Sequence, residues 1–209
     1  MRYRLVIFDF DGTLANSLPW FSRVLNDVAD RYHFKRVAAH EEDLLRAMDP
    51  RSLMRHLGIP AWRLPLIVRY MRKRKSQELD QTHLFDGVDR MLRRLADADI
   101  ATALVTSNTE PNVRTILGAA NANLIRYFEC GASLFGKAPH FRKVLRRSRT
   151  PADEAICIGD ELRDLEAAQK VGIAFGAVTW GFSMPEALVA RSPTAVFRSV
   201  DEIADQLAR

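Results

Sequence analysis

Residues 1–17 read MRYRLVIFDFDGTLANS. Leu5, Val6, Ile7 and Phe8 form a continuous apolar run suited to a buried strand, and Asp9 and Asp11 stand one residue apart at its end. Taking an unpaired ion out of water costs on the order of several kcal/mol even after the protein relaxes. Two carboxylates in this position therefore need partners that offset the cost. The stretch predicts a buried strand that ends in chemistry, and the remainder of the chain must supply the sheet around it.

Downstream, Phe21, Val24, Leu25, Val28 and Tyr32 recur at helical spacing from about Leu18. EEDLLRAM (41–48), RSLMRHLG (51–58) and RLPLIVRYMRKRKSQEL (63–79) continue as helical pieces, separated by Asp49-Pro50 and by a turn over 58–60. No strand pattern interrupts 18–82. From Phe85 helices and apolar strands alternate. Val88, Met91, Leu92 and Leu95 form a helix face, ATALVT (101–106) a strand, and 111–120 a helix with proline in its first turn. YFECGAS (127–133) predicts a short strand, HFRKVLRR (140–147) a helix, EAICIG (154–159) a strand, ELRDLEAAQKVG (161–172) a helix ended by glycine, and IAFGAVT (173–179) a strand; TAVFR and VDEIADQLA close the series. Strands that are apolar throughout and separated by single helices imply an α/β fold, a Rossmann-like parallel sheet with helices on both faces. The first strand belongs with these C-terminal units. Residues 1–15 and 85–209 are thus expected to form the core, with 16–84 an all-helical cap inserted after the first strand.

The composition suits one such domain: 209 residues, 47% hydrophobic and 27% charged. The two cysteines, Cys130 and Cys157, lie in apolar surroundings without a C-x-x-C pair, which points away from a disulfide framework or a cysteine zinc site and toward a reducing compartment. Leu5 to Phe8 is too short for a signal-peptide core, and no segment approaches the ~20 apolar residues of a membrane span. The expectation is a cytoplasmic protein with no membrane partner, a monomer or weak dimer. A net charge of +5 favours anionic partners in general, and the MRKRK run at 71–75 reads as a solvated helix face or a lure for small anions. No nucleic-acid signature accompanies it, so a nucleic-acid partner is not expected.

In parallel α/β sheets ligands bind beyond the carboxyl ends of the strands. The first strand is followed by Asp9, Asp11, Gly12 and Thr13; ATALVT by Ser107 and Asn108; the third by Gly136 and Lys137; EAICIG by Asp160 and, four residues on, Asp164. Carboxylates converging on one rim repel unless a cation holds them, and oxygen ligands without nearby His or Cys suit Mg²⁺. Lys137 and Ser107 supply a cation and a donor for a substrate anion. Taken singly, Asp9 and Asp11 could be turn or cap residues, Asp164 a first-turn helix acid, Ser107 a helix N-cap and Lys137 a surface lysine. Together they read as a magnesium and phosphate site.

DFDGTLANS, VTSN, Lys137 in FGKAPHF, and GDELRDLEAA followed by GIAFGAVTWGF resemble the four ordered motifs of the haloacid dehalogenase superfamily, in its phosphoglycolate phosphatase-like branch. The resemblance covers about 3–16 and 84–182, while the cap matches in position and helical character. It implies a Mg²⁺-dependent phosphomonoester hydrolase acting on a small phosphorylated metabolite. Asp9 would be the nucleophile, forming an aspartyl-phosphate, and Asp11 the general acid and then base. Gly12, Ser107, Asn108 and Lys137 would bind phosphate. Asp9, the Asp11 main-chain carbonyl, Asp160 and Asp164 would hold the metal, Asp164 through water or in support. Two positions depart from the family pattern: Ala138 stands between Lys137 and Pro139, where proline usually follows the lysine directly, and Glu161 replaces a small hydroxyl residue. Glu161 is expected to be an exposed residue at a helix N-terminus. Trp20, Phe21, Trp62 and Met71 are expected mostly in the cap core, Trp20 being the best placed to face substrate. Cys157 reads as a small core residue and His140 as a helix-end or surface residue.

Within the superfamily, a dehalogenase normally lacks the second aspartate. A phosphonate-cleaving relative needs a cap lysine, for which Lys35 is a weak match, and a phosphosugar mutase keeps all four motifs. A non-catalytic metabolite-binding or regulatory protein on the same scaffold is the alternative outside enzymes.

Overall fold

The computed structural model describes residues 3–132 and 136–208. Strand β1 (Leu5–Phe8) is fully buried, because its four side chains alternate between two apolar layers. It lies at the centre of a six-stranded sheet of order β5-β4-β1-β6-β7-β8, comprising β4 (Ala101–Val105), β5 (Tyr127–Glu129), β6 (Ala155–Gly159), β7 (Ala174–Val178) and β8 (Ala195–Phe197). Every pairing is parallel, and Phe8 lies between Leu104 and Ile158.

Val6 and Phe8 share one layer with Leu104, Ile156, Ile158 and Val178, covered by α5 (Val88–Asp97), α6 (Glu110–Leu124) and α10 (Val200–Leu207). Leu5 and Ile7 face the other with Ala103, Val105, Cys157 and Phe175, covered by α7 (Lys137–Ser148) and α8 (Leu162–Val171). Each fully buried large aliphatic side chain contributes roughly 1.5–3 kcal/mol, so β1 anchors both layers at once. The sheet is that of an α/β doubly covered fold, as its uninterrupted apolar strands require.

Residues 18–77 run through four helices: α1 (Leu18–Tyr32), α2 (Glu42–Arg46), α3 (Pro50–His56) and α4 (Leu64–Gln77). Asp49 caps α3, accepting hydrogen bonds from the Arg51 and Ser52 amides, and proline at the first turn of α1, α3 and α4 sets each start. Where this segment leaves and rejoins the sheet, β2 (Ala15–Asn16) pairs antiparallel with β3 (His83–Leu84). Two two-residue strands carry too little periodicity to be read from sequence.

Other differences are local. Helix α6 runs on to Leu124 with a break at Gly118, whose positive φ interrupts the helical backbone. The strand expected over 127–133 ends at Glu129, and Ser133 lies outside the described residues. Helix α7 begins at Lys137 itself, and α9 (Pro185–Val189) follows the β7 loop. Trp62, expected in the cap core, is 69% exposed, its ring stacked by the Arg63 guanidinium. Cys157 is buried in the sheet as expected.

Candidate active site

The carboxyl ends of β1, β4 and β6 converge on one rim of the sheet. Asp9, the first residue beyond β1, is buried, and its Oδ1 lies 2.7 Å from Lys137 Nζ. Lys137, at the first position of α7, also approaches Asp164 Oδ1 at 2.6 Å. A lysine at the head of a helix points back past the helix start, so beginning α7 one residue after Gly136 aims the ammonium into the rim despite the Ala138 insertion. Asp164, in the first turn of α8, is fully buried rather than exposed, and its Oδ2 accepts from the Glu161 amide at 3.3 Å.

Asp160, following β6, is also fully buried. Its Oδ1 accepts from the Thr13 hydroxyl and its Oδ2 from the Phe182 amide, both at 2.7 Å. Backbone crowds it on two sides: a Cβ on Gly12 would lie 2.2 Å from Asp160 Oδ2, and one on Gly181 only 2.0 Å from Asp160 Cβ.

Oxygens of Asp9, Asp160 and Asp164 lie within 4.8 Å of one another, and Asp9 Oδ2 is buried with no hydrogen-bond partner. Burial, with the neighbouring carboxylates Glu161, Asp9 and Asp164, pushes the Asp160 carboxyl well above its ordinary range. Burial likewise pushes Asp164 to about 7, against the pull of Lys137. Burial would lower Lys137, but Asp164 and Asp9 hold it above its ordinary value. Even with the Lys137 ammonium and the Arg163 guanidinium nearby, Asp160 and Asp164 stay above their ordinary range. An all-carboxylate set with an orphaned, buried oxygen fits a hard divalent cation.

Asp11 belongs to a different environment. Its Oδ2 accepts from Asn108 Nδ2 at 2.9 Å, and Asn108 is itself held by donation from the Thr109 amide and Asn112 to its Oδ1. Burial raises the Asp11 carboxyl, Lys75 opposes this, and the charge of Asp9 adds to it. Asp11, Ser107 and Asn108 form the floor of a cavity of about 630 Å³ that continues between the helices of 18–77. Ser107 is half-buried there, and Thr109, not Ser107, is the N-cap of α6.

Four participants escaped the sequence reading. Thr13 and the Phe182 amide orient Asp160, as described. Arg163 donates to Glu161 at 2.6 Å, and its buried Nε and Nη1 have no hydrogen-bond partner while the side chain lines the cavity. Glu161 is correspondingly not an exposed helix-start residue: its side chain is 21% exposed and completes a capping box with Asp164. Lys75 corrects the solvated reading of MRKRK. It is only 4% exposed, donates to the Thr82 hydroxyl, and lies 4.3 Å over the Trp20 ring beside Asp11. The signal was present: Leu64, Ile67, Val68, Met71, Arg72 and Lys75 follow helical spacing, and all line the cavity.

The haloacid dehalogenase-like hydrolase family model matches residues 6–178. The chain is 29% identical to the phosphoglycolate phosphatase of Synechococcus elongatus over 90% of this chain and 89% of that one. It is 27% identical to the tyrosine-protein kinase PtkA of Mycobacterium tuberculosis over 98% of this chain and 72% of the relative. A Lactobacillus plantarum structure, provisionally named a phosphoglycolate phosphatase, superposes with a TM-score of 0.84 at 22% identity, covering 98% of this chain and 99% of that chain. With the motif residues gathered at the strand ends and the match running from β1 through β7, the chain belongs to the haloacid dehalogenase-like hydrolase family and is similar to phosphoglycolate phosphatases within it.

Proposed function

We propose that the protein is a Mg²⁺-dependent phosphomonoester hydrolase that works through an aspartyl-phosphate on Asp9. The observation that carries this reading is the division of labour between the two aspartates. Asp9 sits in a cation-demanding cluster with Lys137, Asp160 and Asp164, whereas Asp11 faces a cavity with its carboxyl raised by burial. An acid must hold a proton to give one up, so the raised carboxyl of Asp11 at the cavity suits the acid role, while Asp9, 2.7 Å from the Lys137 ammonium and outside the cavity lining, suits the nucleophile.

In the first step an Asp9 carboxylate oxygen forms a bond to phosphorus while the ester oxygen leaves, taking the Asp11 proton. In the second, Asp11 removes a proton from water, which attacks phosphorus and releases Asp9. Lys137 and the Ser107 hydroxyl contact the phosphoryl oxygens, Asn108 fixes the Asp11 carboxyl, and Gly12 lets the backbone turn tightly beside the phosphate. Asp9, the Asp11 carbonyl, Asp160 and Asp164 would hold Mg²⁺, which when bound neutralises charge on the phosphoryl oxygens. The segment 16–84 acts as the cap, excluding water and selecting the alcohol. The names of the relatives make a small phosphorylated metabolite, phosphoglycolate included, the first substrate class to test.

The test is phosphate release from a panel of metabolite phosphates in Mg²⁺ and in EDTA. Metal-dependent turnover is expected, with Asp9→Asn lowering kcat at least about 10³-fold. Equal turnover by Asp9→Asn, or none on any ester by the wild type, overturns the proposal.

A further inference from the structure

The cavity above Asp11 is polarised along its length. Nearly all its charged lining groups are tied to the sheet end. Glu161 caps α8 and Arg163 stands in its first turn, Arg46 donates to the Gly181 and Phe182 carbonyls, Arg72 to the Ala132 carbonyl, and Lys75 lies beside Asp11. The rest of the wall, from α1, α3 and α4 with Phe34 and Ile59 from the connecting turns, is mainly apolar, interrupted by Ser22, Asn26 and Glu42. Phe21, Leu25, Leu53, Met54 and Met71 line the cavity and are only half-buried, Phe21 with its ring edge-on to Phe182, and neither of the two hydrophobic clusters draws a residue from 16–82. The apolar stripes are thus only partly closed on one another: Val24, Val28, Leu57 and Ile67 are buried, while the half-buried side chains leave the cavity between the helices.

A volume of about 630 Å³ is that of a site for a drug-sized ligand, whereas phosphoglycolate has only about nine non-hydrogen atoms. Phosphoglycolate would reach the charged end and leave the apolar length uncovered. We propose that the physiological substrate is an amphiphilic phosphomonoester, its phosphate at the sheet end and its alcohol a long or ring-bearing apolar body that completes the core of the helical segment. This rests on the phosphomonoester hydrolase reading and names its substrate class. The occupant of the cavity is the leaving alcohol because Asp11, the proton donor to that alcohol, forms the cavity floor.

The test is kcat/KM for straight-chain alkyl monophosphates from two to twelve carbons, beside phosphoglycolate, with Mg²⁺ present. Each buried methylene is worth a factor of roughly three to four, so kcat/KM is expected to climb steeply with length and level off when the cavity is full. Met54→Trp, which adds bulk to the apolar wall, is expected to bring the plateau to shorter chains. A flat series, or phosphoglycolate outperforming all the alkyl esters, overturns the inference and leaves the hydrolase reading intact. Alkylphosphonates of the same lengths, followed by thermal shift, separate the two readings. Hydrolysis of no ester combined with stabilisation that grows with chain length rejects the hydrolase and retains the amphiphile site. No length dependence in either series rejects the site.

Discussion

Gly12 has a φ of +85°, and the Asp160 carboxylate occupies the place of its missing Cβ at 2.2 Å. Alanine there meets a left-handed backbone and displaces the residue that Thr13 and Phe182 hold. Gly12→Ala is expected to cost about 1–3 kcal/mol in urea denaturation and to weaken Mg²⁺ affinity, because strain and misplacement fall on the same carboxylate. A variant with wild-type stability and metal affinity would show the turn to be slack. DFDGT is contiguous, so this neighbourhood was readable up to the identity of the groups. That Thr13 serves Asp160, 147 residues on, was not, since only the β1–β6 pairing brings them together.

At the scale of elements, α1 is joined to the end of α4 through Glu78. Its carboxylate accepts from Trp20 Nε1 at 2.8 Å, from Arg23 at 2.6 Å and from Arg74 at 3.1 Å. Burial would raise this carboxyl, but the three donors outweigh it and lower it from 4.5 to about 2. A folded-state value below the unfolded one contributes stability that is complete above pH 4.5 and disappears as pH falls toward 2. Glu78→Gln is therefore expected to cost about 1–2 kcal/mol near neutrality, after allowance for solvent screening, with the gap to wild type closing over that acid window. Thermal melts of both proteins across pH 2–7 read this directly, and a gap constant with pH would refute the linkage. The helices themselves were legible from their stripes. What those stripes face was not, because an apolar stripe lining a cavity and one lining a packed core have the same period.

For the whole molecule, the proposed metal site predicts a link between metal binding and folding. Burial holds Asp160 and Asp164 above their ordinary range, and Asp9, Asp160 and Asp164 come together only in the folded chain, so Mg²⁺ bound there would stabilise the folded state. At a concentration a hundredfold above Kd, Mg²⁺ is expected to add about 2.7 kcal/mol, seen as a rise in Tm. Asp160→Asn is expected to abolish the rise, and a magnesium-insensitive melt of the wild type would contradict the site. Among the described residues no helix is long and apolar enough to cross a membrane.

By itself the sequence determined the parallel sheet, the inserted helices and the rim residues Asp9, Asp11, Ser107, Asn108, Lys137, Asp160 and Asp164. All but Lys137 closely follow an apolar strand in the chain, and in a parallel sheet chain order after a strand becomes position in space; Lys137 is brought to the rim by the start of α7. Tertiary structure alone decided the roles of Thr13, Lys75, Arg163 and Phe182 and the polarised cavity. The contacts of Thr13 and Phe182 with Asp160 and of Lys75 with Trp20 join segments separated by tens of residues, and which side chains line the cavity depends on how the helices pack over the sheet.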